Sequence, residues 1–111
     1  MQINDYLFLY IIMDAYTIPS PGPGEDTIFT LEVWEQHDMP PILTLAEGWT
    51  EIEEQAFVDN PDLEVIRIPA SVVAIQEDAF AGAISLRQVE FAEGSRLEFI
   101  GDGVFQFTDA L

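Results

Sequence analysis

Apolar positions in the second half of the chain return in a fixed order. Ile52, Ala56, Phe57 and Leu63 come back 23 residues later as Ile75, Ala79, Phe80 and Leu86, and after 25 more as Ile100, Val104, Phe105 and Leu111. A fixed period with every anchor in register predicts a solenoid, in which each unit buries its apolar face only against its neighbours. The two extra residues of the second step all fall between Phe91 and Ile100, where the shorter copy runs from Ile68 to Ile75. Insertions confined to one loop fit the same architecture. Stepping back by 23 pairs Ile66 and Ile68 with Leu43 and Leu45, Phe57 with Trp34, Ile52 with Phe29 and Leu63 with Pro40. A degenerate first copy is therefore expected to begin near Thr27, as terminal repeats are atypical.

Within a repeat, Leu63-Glu-Val-Ile-Arg-Ile68 and Leu86-Arg-Gln-Val-Glu-Phe91 end in alternating apolar and polar positions. That period of two predicts a short strand with Ile66, Ile68, Val89 and Phe91 turned inward, stopped after Ile68 by Pro69. The stretches around Ala56-Phe57 and Ala79-Phe80 are expected to form a helical turn that inserts the phenylalanine into the core. Stacking by one period sets Glu64 beside Arg87 and Arg67 beside Glu90, so opposite charges are expected on parallel strands about 4.8 Å apart.

The pattern Ile-x-x-x-Ala-Phe, followed by Leu-x-x-Ile-x-Ile-Pro-x-Ser-Val, resembles the BspA-like leucine-rich-repeat family. Glu93-Gly-Ser-Arg-Leu-Glu-Phe-Ile-Gly101 is similar to that family's longer loop variant, and the resemblance covers roughly residues 43–111. Asn60, Ala83 and Thr108 fall where the family often carries a cysteine or small polar residue. The resemblance implies an α/β solenoid: a short right-handed stack with parallel strands on one face, short helical turns on the other, and an open C-terminal end. It also implies protein–protein interaction or adhesion, in an extracellular or cell-surface setting.

Before the repeats, residues 1–18 are apolar and rich in β-branched and aromatic types, which favours strand, and Pro19-Ser-Pro-Gly-Pro-Gly24 stops regular structure. The expected organisation is a cap or leader over 1–26 and a solenoid over 27–111. The solenoid divides into a degenerate repeat at 27–45, repeats at 46–68 and 69–91, and a partial repeat at 92–111. The longest apolar run, Tyr6 to Met13, is far short of the roughly 20 residues a membrane helix needs. No basic residue precedes it, so it fits a secretory signal poorly.

The 111 residues are 49% apolar, enough for a compact core, and carry 21 acidic residues against 3 arginines, for a net charge of −18. Such a field repels phosphate backbones and anionic membrane surfaces and attracts cations or a basic protein surface. It also keeps an open-ended stack soluble. With no cysteine, there is no disulfide staple, thiolate metal site or thiol nucleophile.

The search for catalytic chemistry returns little. His37 beside Asp38 lacks a Gly-x-Ser-x-Gly elbow, and Ser71, Ser85 and Ser95 lie on repeat turns. Adjacent carboxylates such as Glu53 and Glu54 need not face one cleft. Asp59-Asn60-Pro61-Asp62 and Glu77-Asp78 group oxygen ligands without the spacing of a calcium loop, and Asn and Asp before proline are ordinary turn formers. The expectation is therefore a non-enzyme with no catalytic residue, metal site or cofactor.

Two function classes follow. One is a binding module whose outward strand row, Thr44, Val65, Arg67, Gln88 and Glu90, meets a protein partner with a basic surface; Trp34 and Trp49 align with core or turn positions. The other is a structural spacer, or a fragment of a longer repeat protein, whose bare C-terminal edge predicts edge-to-edge self-association.

Overall fold

A computed structural model describes residues 15–37 and 39–111. Residues 1–14, which hold most of the apolar run expected to form strand, and Asp38 lie outside the described residues.

The chain winds into a parallel-strand solenoid of about four turns with little helix. Each turn contributes a long strand and a short one. The long strands β1 (Ala15–Ile18), β3 (Ile42–Leu45), β5 (Val65–Ile68) and β7 (Gln88–Phe91) form one sheet in that order. The short strands β2 (Ile28–Phe29), β4 (Glu51–Ile52), β6 (Ala74–Ile75) and β8 (Phe99–Ile100) form a second. The register follows the sequence period: Leu43 lies opposite Ile66 and Ile66 opposite Val89, while Phe29 lies opposite Ile52 and Ile52 opposite Ile75. β1 pairs with Ile42–Leu45, so the long-strand sheet begins before the repeat signal does.

All variation in turn length falls at one corner. From the end of a long strand to the start of the next short one the chain advances 10, 6, 6 and 8 residues in the four turns, whereas from short strand to long strand it advances 13 each time. The Pro- and Gly-rich segment after Ile18 thus occupies the same corner as the longer loop after Phe91. Serine, threonine and glutamate tie the corners together. Ser71 Oγ donates to Trp49 O at 2.7 Å, Thr27 and Thr50 hydroxyls meet at 2.7 Å, and Glu47 accepts the N–H groups of Ala70 and Ser71 at 3.0 and 3.1 Å.

The third side differs from the helical turns expected there. Among the described residues the one α-helix is α1 (Leu31–Glu35) in the first turn, capped by Thr30, whose Oγ1 accepts from Val33 N. Later turns instead run as consecutive tight turns whose N–H groups alternate in direction. Ala56, Val58 and Asn60 donate back three residues within their own turn, while Gln55, Phe57 and Asp59 donate to Glu77, Ala79 and Ala81 of the next. Asp78, Phe80 and Gly82 repeat the outward set, onto Asp102, Val104 and Gln106. Positive φ at Gln55, Asp78 and Gly103, and at Asp59, Gly82 and Phe107, produces the alternation. An α-helix aligns its carbonyls with its own axis and so cannot make such lateral bonds.

The core is built of columns running along the stack. Phe29, Phe57, Phe80 and Phe105 form a near-parallel stack with ring centroids 5.5, 5.0 and 5.8 Å apart. Trp34, the period-mate of Phe57, is buried and meets that ring edge-on at 5.0 Å. Leu63 and Leu86 are fully buried, and Pro40 occupies their column in the first turn. Stacking explains the burial: Ile52 and Ile75, each with a turn on either side, are 0% exposed, whereas Ile100 in the last described turn is 48% exposed.

Candidate functional site

Regular strand spacing lines up outward positions from successive turns. Thr44 on β3 lies opposite Arg67 on β5, which lies opposite Glu90 on β7, and the row extends back to Thr17 on β1. Arg67 Nε donates to Glu90 Oε2 at 2.7 Å, and Arg87 Nε approaches Glu64 Oε1 at 3.6 Å, the two cross-strand pairs that the period predicts. Arg67 and Arg87 are thereby each held beside a carboxylate.

Of the five expected surface residues, Thr44, Arg67 and Glu90 share one site, a groove of about 350 Å³ across the C-terminal ends of β3, β5 and β7. Gln88 is exposed at the other end of β7, outside the groove. Val65 does not present itself: it is 4% exposed, in a central strand with Ile42 and Gln88 as neighbours on either side. Alternation assigns a strand residue to a face but not its exposure, which depends on what flanks it.

Strand alternation missed the groove's apolar part. Ile68, Pro69, Phe91 and Ala92 line it together with Leu45 and Glu47, where the strands turn into the variable corner. Ile68 is buried, while Phe91, its neighbour in register, is 41% exposed although its parity predicts an inward side chain. The sequence signal available was the position of these residues next to the one loop whose length varies. Electrostatically the groove holds two carboxylates and one guanidinium, with the guanidinium already bonded to Glu90. Glu47 is fixed by its two backbone donors.

The residues weighed for catalysis are spread through the stack in structural bonds. His37 Nδ1 meets Tyr16 OH at 3.1 Å, with Asp38 outside the described residues. Ser85 Oγ donates to Pro61 O, and Ser95 Oγ accepts from Leu97 N. Trp49 is buried and donates its indole N–H to Pro19 O at 3.1 Å, which places it in the core. Asn60 turns inward, its Oδ1 accepting from Asp62 N and Leu63 N at 2.8 Å each. The carboxylates of Asp59 and Asp78 lie over Gly82 and Gly103 of the next turn. Among the described residues no group of three His, Cys, Asp or Glu side chains is placed to hold a metal ion.

A family model described as BspA type leucine rich repeat region, with six copies, matches residues 39–111. The chain belongs to the BspA-type leucine-rich-repeat family. No curated protein and no solved structure gives a significant match. The BspA-type match covers β3 to β8, and so takes in every residue lining the groove. Repeat proteins of this kind commonly serve in protein interaction, and their solenoids are generally non-enzymatic scaffolds.

Proposed function

We propose that this BspA-type repeat protein is a non-catalytic protein–protein interaction module that presents the outer face of its long-strand sheet to a partner, as an adhesion module at a cell surface would. The observation that carries this reading is the groove across β3, β5 and β7, where Thr44, Arg67 and Glu90 stand in one cross-strand row beside a half-exposed Phe91. Residues from three successive turns converge there through register alone, which is how a solenoid builds an extended binding surface. The serines and the histidine that a hydrolytic reading needs are used in bonds to backbone and to Tyr16.

The test is affinity capture with immobilised protein, comparing the natural sequence, a Thr44→Lys/Gln88→Lys variant that obstructs the sheet face and a Glu53→Gln/Glu54→Gln variant that makes the same change of net charge away from the sheet. A partner retained by the first and third and lost from the second supports the reading. Equal retention by all three, or no partner retained by any, favours the spacer reading.

A further inference from the structure

Resting on that reading, the groove's chemistry narrows the partner. We infer that its occupant is an extended, positively charged segment of another protein that places an apolar or aromatic side chain against Phe91.

The argument begins with charge. The chain carries −18, and two of its three cations, Arg67 and Arg87, already stand beside the carboxylates of Glu90 and Glu64. The groove itself carries two carboxylates, Glu47 and Glu90, against one guanidinium, Arg67, which is turned toward Glu90. A cationic segment is drawn to this surface at long range and meets two carboxylates in the groove; an acidic peptide or a nucleic acid is repelled.

Shape and apolarity add a second constraint. The apolar part of the lining is Leu45, Ile68, Pro69, Phe91 and Ala92, and Phe91 keeps 41% of its surface exposed. A ring or aliphatic side chain laid there removes apolar surface from water, at about 25 cal/mol per Å². Strand spacing of about 4.8 Å puts Thr44 and Glu90, two strands apart, roughly 10 Å from each other. That length matches about three residues of extended chain. A segment with basic residues beside an apolar one fits a groove that has Glu47, Glu90 and Phe91 in its lining. Glu47 needs no rearrangement to take part, because Ala70 and Ser71 already hold its carboxylate in place.

The experiment is selection of a random octapeptide library, displayed on phage, against immobilised residues 1–111. Synthetic copies of the selected peptides are then titrated by fluorescence anisotropy at low and high salt. The expected result is enrichment of Lys or Arg flanking an aromatic or aliphatic residue, with affinity falling steeply as salt rises. Phe91→Ala, which leaves the charge unchanged, is expected to weaken binding at least tenfold, and Glu53→Gln/Glu54→Gln to change it less than threefold. Circular dichroism confirms that each variant is folded. Absence of enrichment, or selection of acidic peptides, overturns the inference. Equal weakening by both variants also overturns it, since that marks diffuse attraction to an acidic protein. If the partner captured above depends on Thr44 and Gln88 while the selected peptides ignore Phe91, the interaction reading stands and this inference fails. If capture is independent of the sheet face, the interaction reading itself fails.

Discussion

Arg67 and Glu90 face each other from adjacent parallel strands, 23 residues apart in sequence and 2.7 Å apart from Nε to Oε2. Both side chains are almost half exposed, so water and salt screen the pair and its worth is about 0.2–1 kcal/mol. Arg67→Glu sets like charges opposite each other and is expected to lower the urea midpoint. Glu90→Arg in the same chain restores part of the loss, and the restored part shrinks at high salt. Strictly additive losses in this double-mutant cycle would show that the two side chains do not interact.

The phenylalanine column makes a stronger demand. Phe80 is fully buried between Phe57 and Phe105, so Phe80→Ala leaves a cavity in the middle of the stack and is expected to cost about 3–5 kcal/mol. Trp34 tests the same column from its first-turn end. Its indole N–H is buried without an acceptor among the described residues, so Trp34→Phe removes a polar group that gains nothing there. Trp34→Phe is expected to stay within about 1.5 kcal/mol of the natural protein, whereas Trp34→Ala matches the loss at Phe80. Urea unfolding followed by circular dichroism measures all three.

Gly101 and Gly94 separate two kinds of glycine requirement. A Cβ on Gly101 would lie 2.6 Å from the backbone N of Glu77 in the preceding turn, a clash no side-chain rotation relieves. Gly94 has open space around it but a φ of +79°, which costs an L-residue about 1–2 kcal/mol. Gly101→Ala is therefore expected to destabilise more than Gly94→Ala, with both read from thermal midpoints. The reverse order would mean that adjacent turns separate easily at this point.

Asn60 is 9% exposed, and its side-chain oxygen accepts two backbone N–H groups at the end of the turn run. Asn60→Ala leaves both donors without that acceptor and is expected to cost about 1–3 kcal/mol. Because that oxygen is already engaged, millimolar calcium is expected to leave the urea midpoint of the natural protein unchanged. A calcium-dependent rise that Asn60→Ala abolishes would show that the turn binds the ion.

Much of the architecture was legible because a solenoid converts sequence period directly into spatial register. Ile52 over Ile75, Glu64 beside Arg87 and Arg67 beside Glu90 are all statements about residues one period apart, and stacking makes them neighbours. The far side was harder to read. Ala56-Phe57 and Ala79-Phe80 suit a helical turn by composition, yet the tight-turn run wins because it sends alternate N–H groups into the next turn. Gln55 and Asp59 adopt positive φ to allow it, which local propensity does not favour. The candidate site was half legible for a similar reason: alternation found Thr44, Arg67 and Glu90, but the buried Val65 and the exposed Phe91 depart from what their parity suggests.

The sequence by itself determined the repeat, its period, the one corner that takes insertions, the core columns from Phe57 onward and the charge pairs, because each depends only on which residues lie one turn apart. Tertiary structure alone decided the turn ladder on the third side, the burial of Val65 and the groove beside Phe91. Those depend on where backbone donors from one turn find acceptors in the next and on how strand ends meet the corner, and both are set by packing in three dimensions.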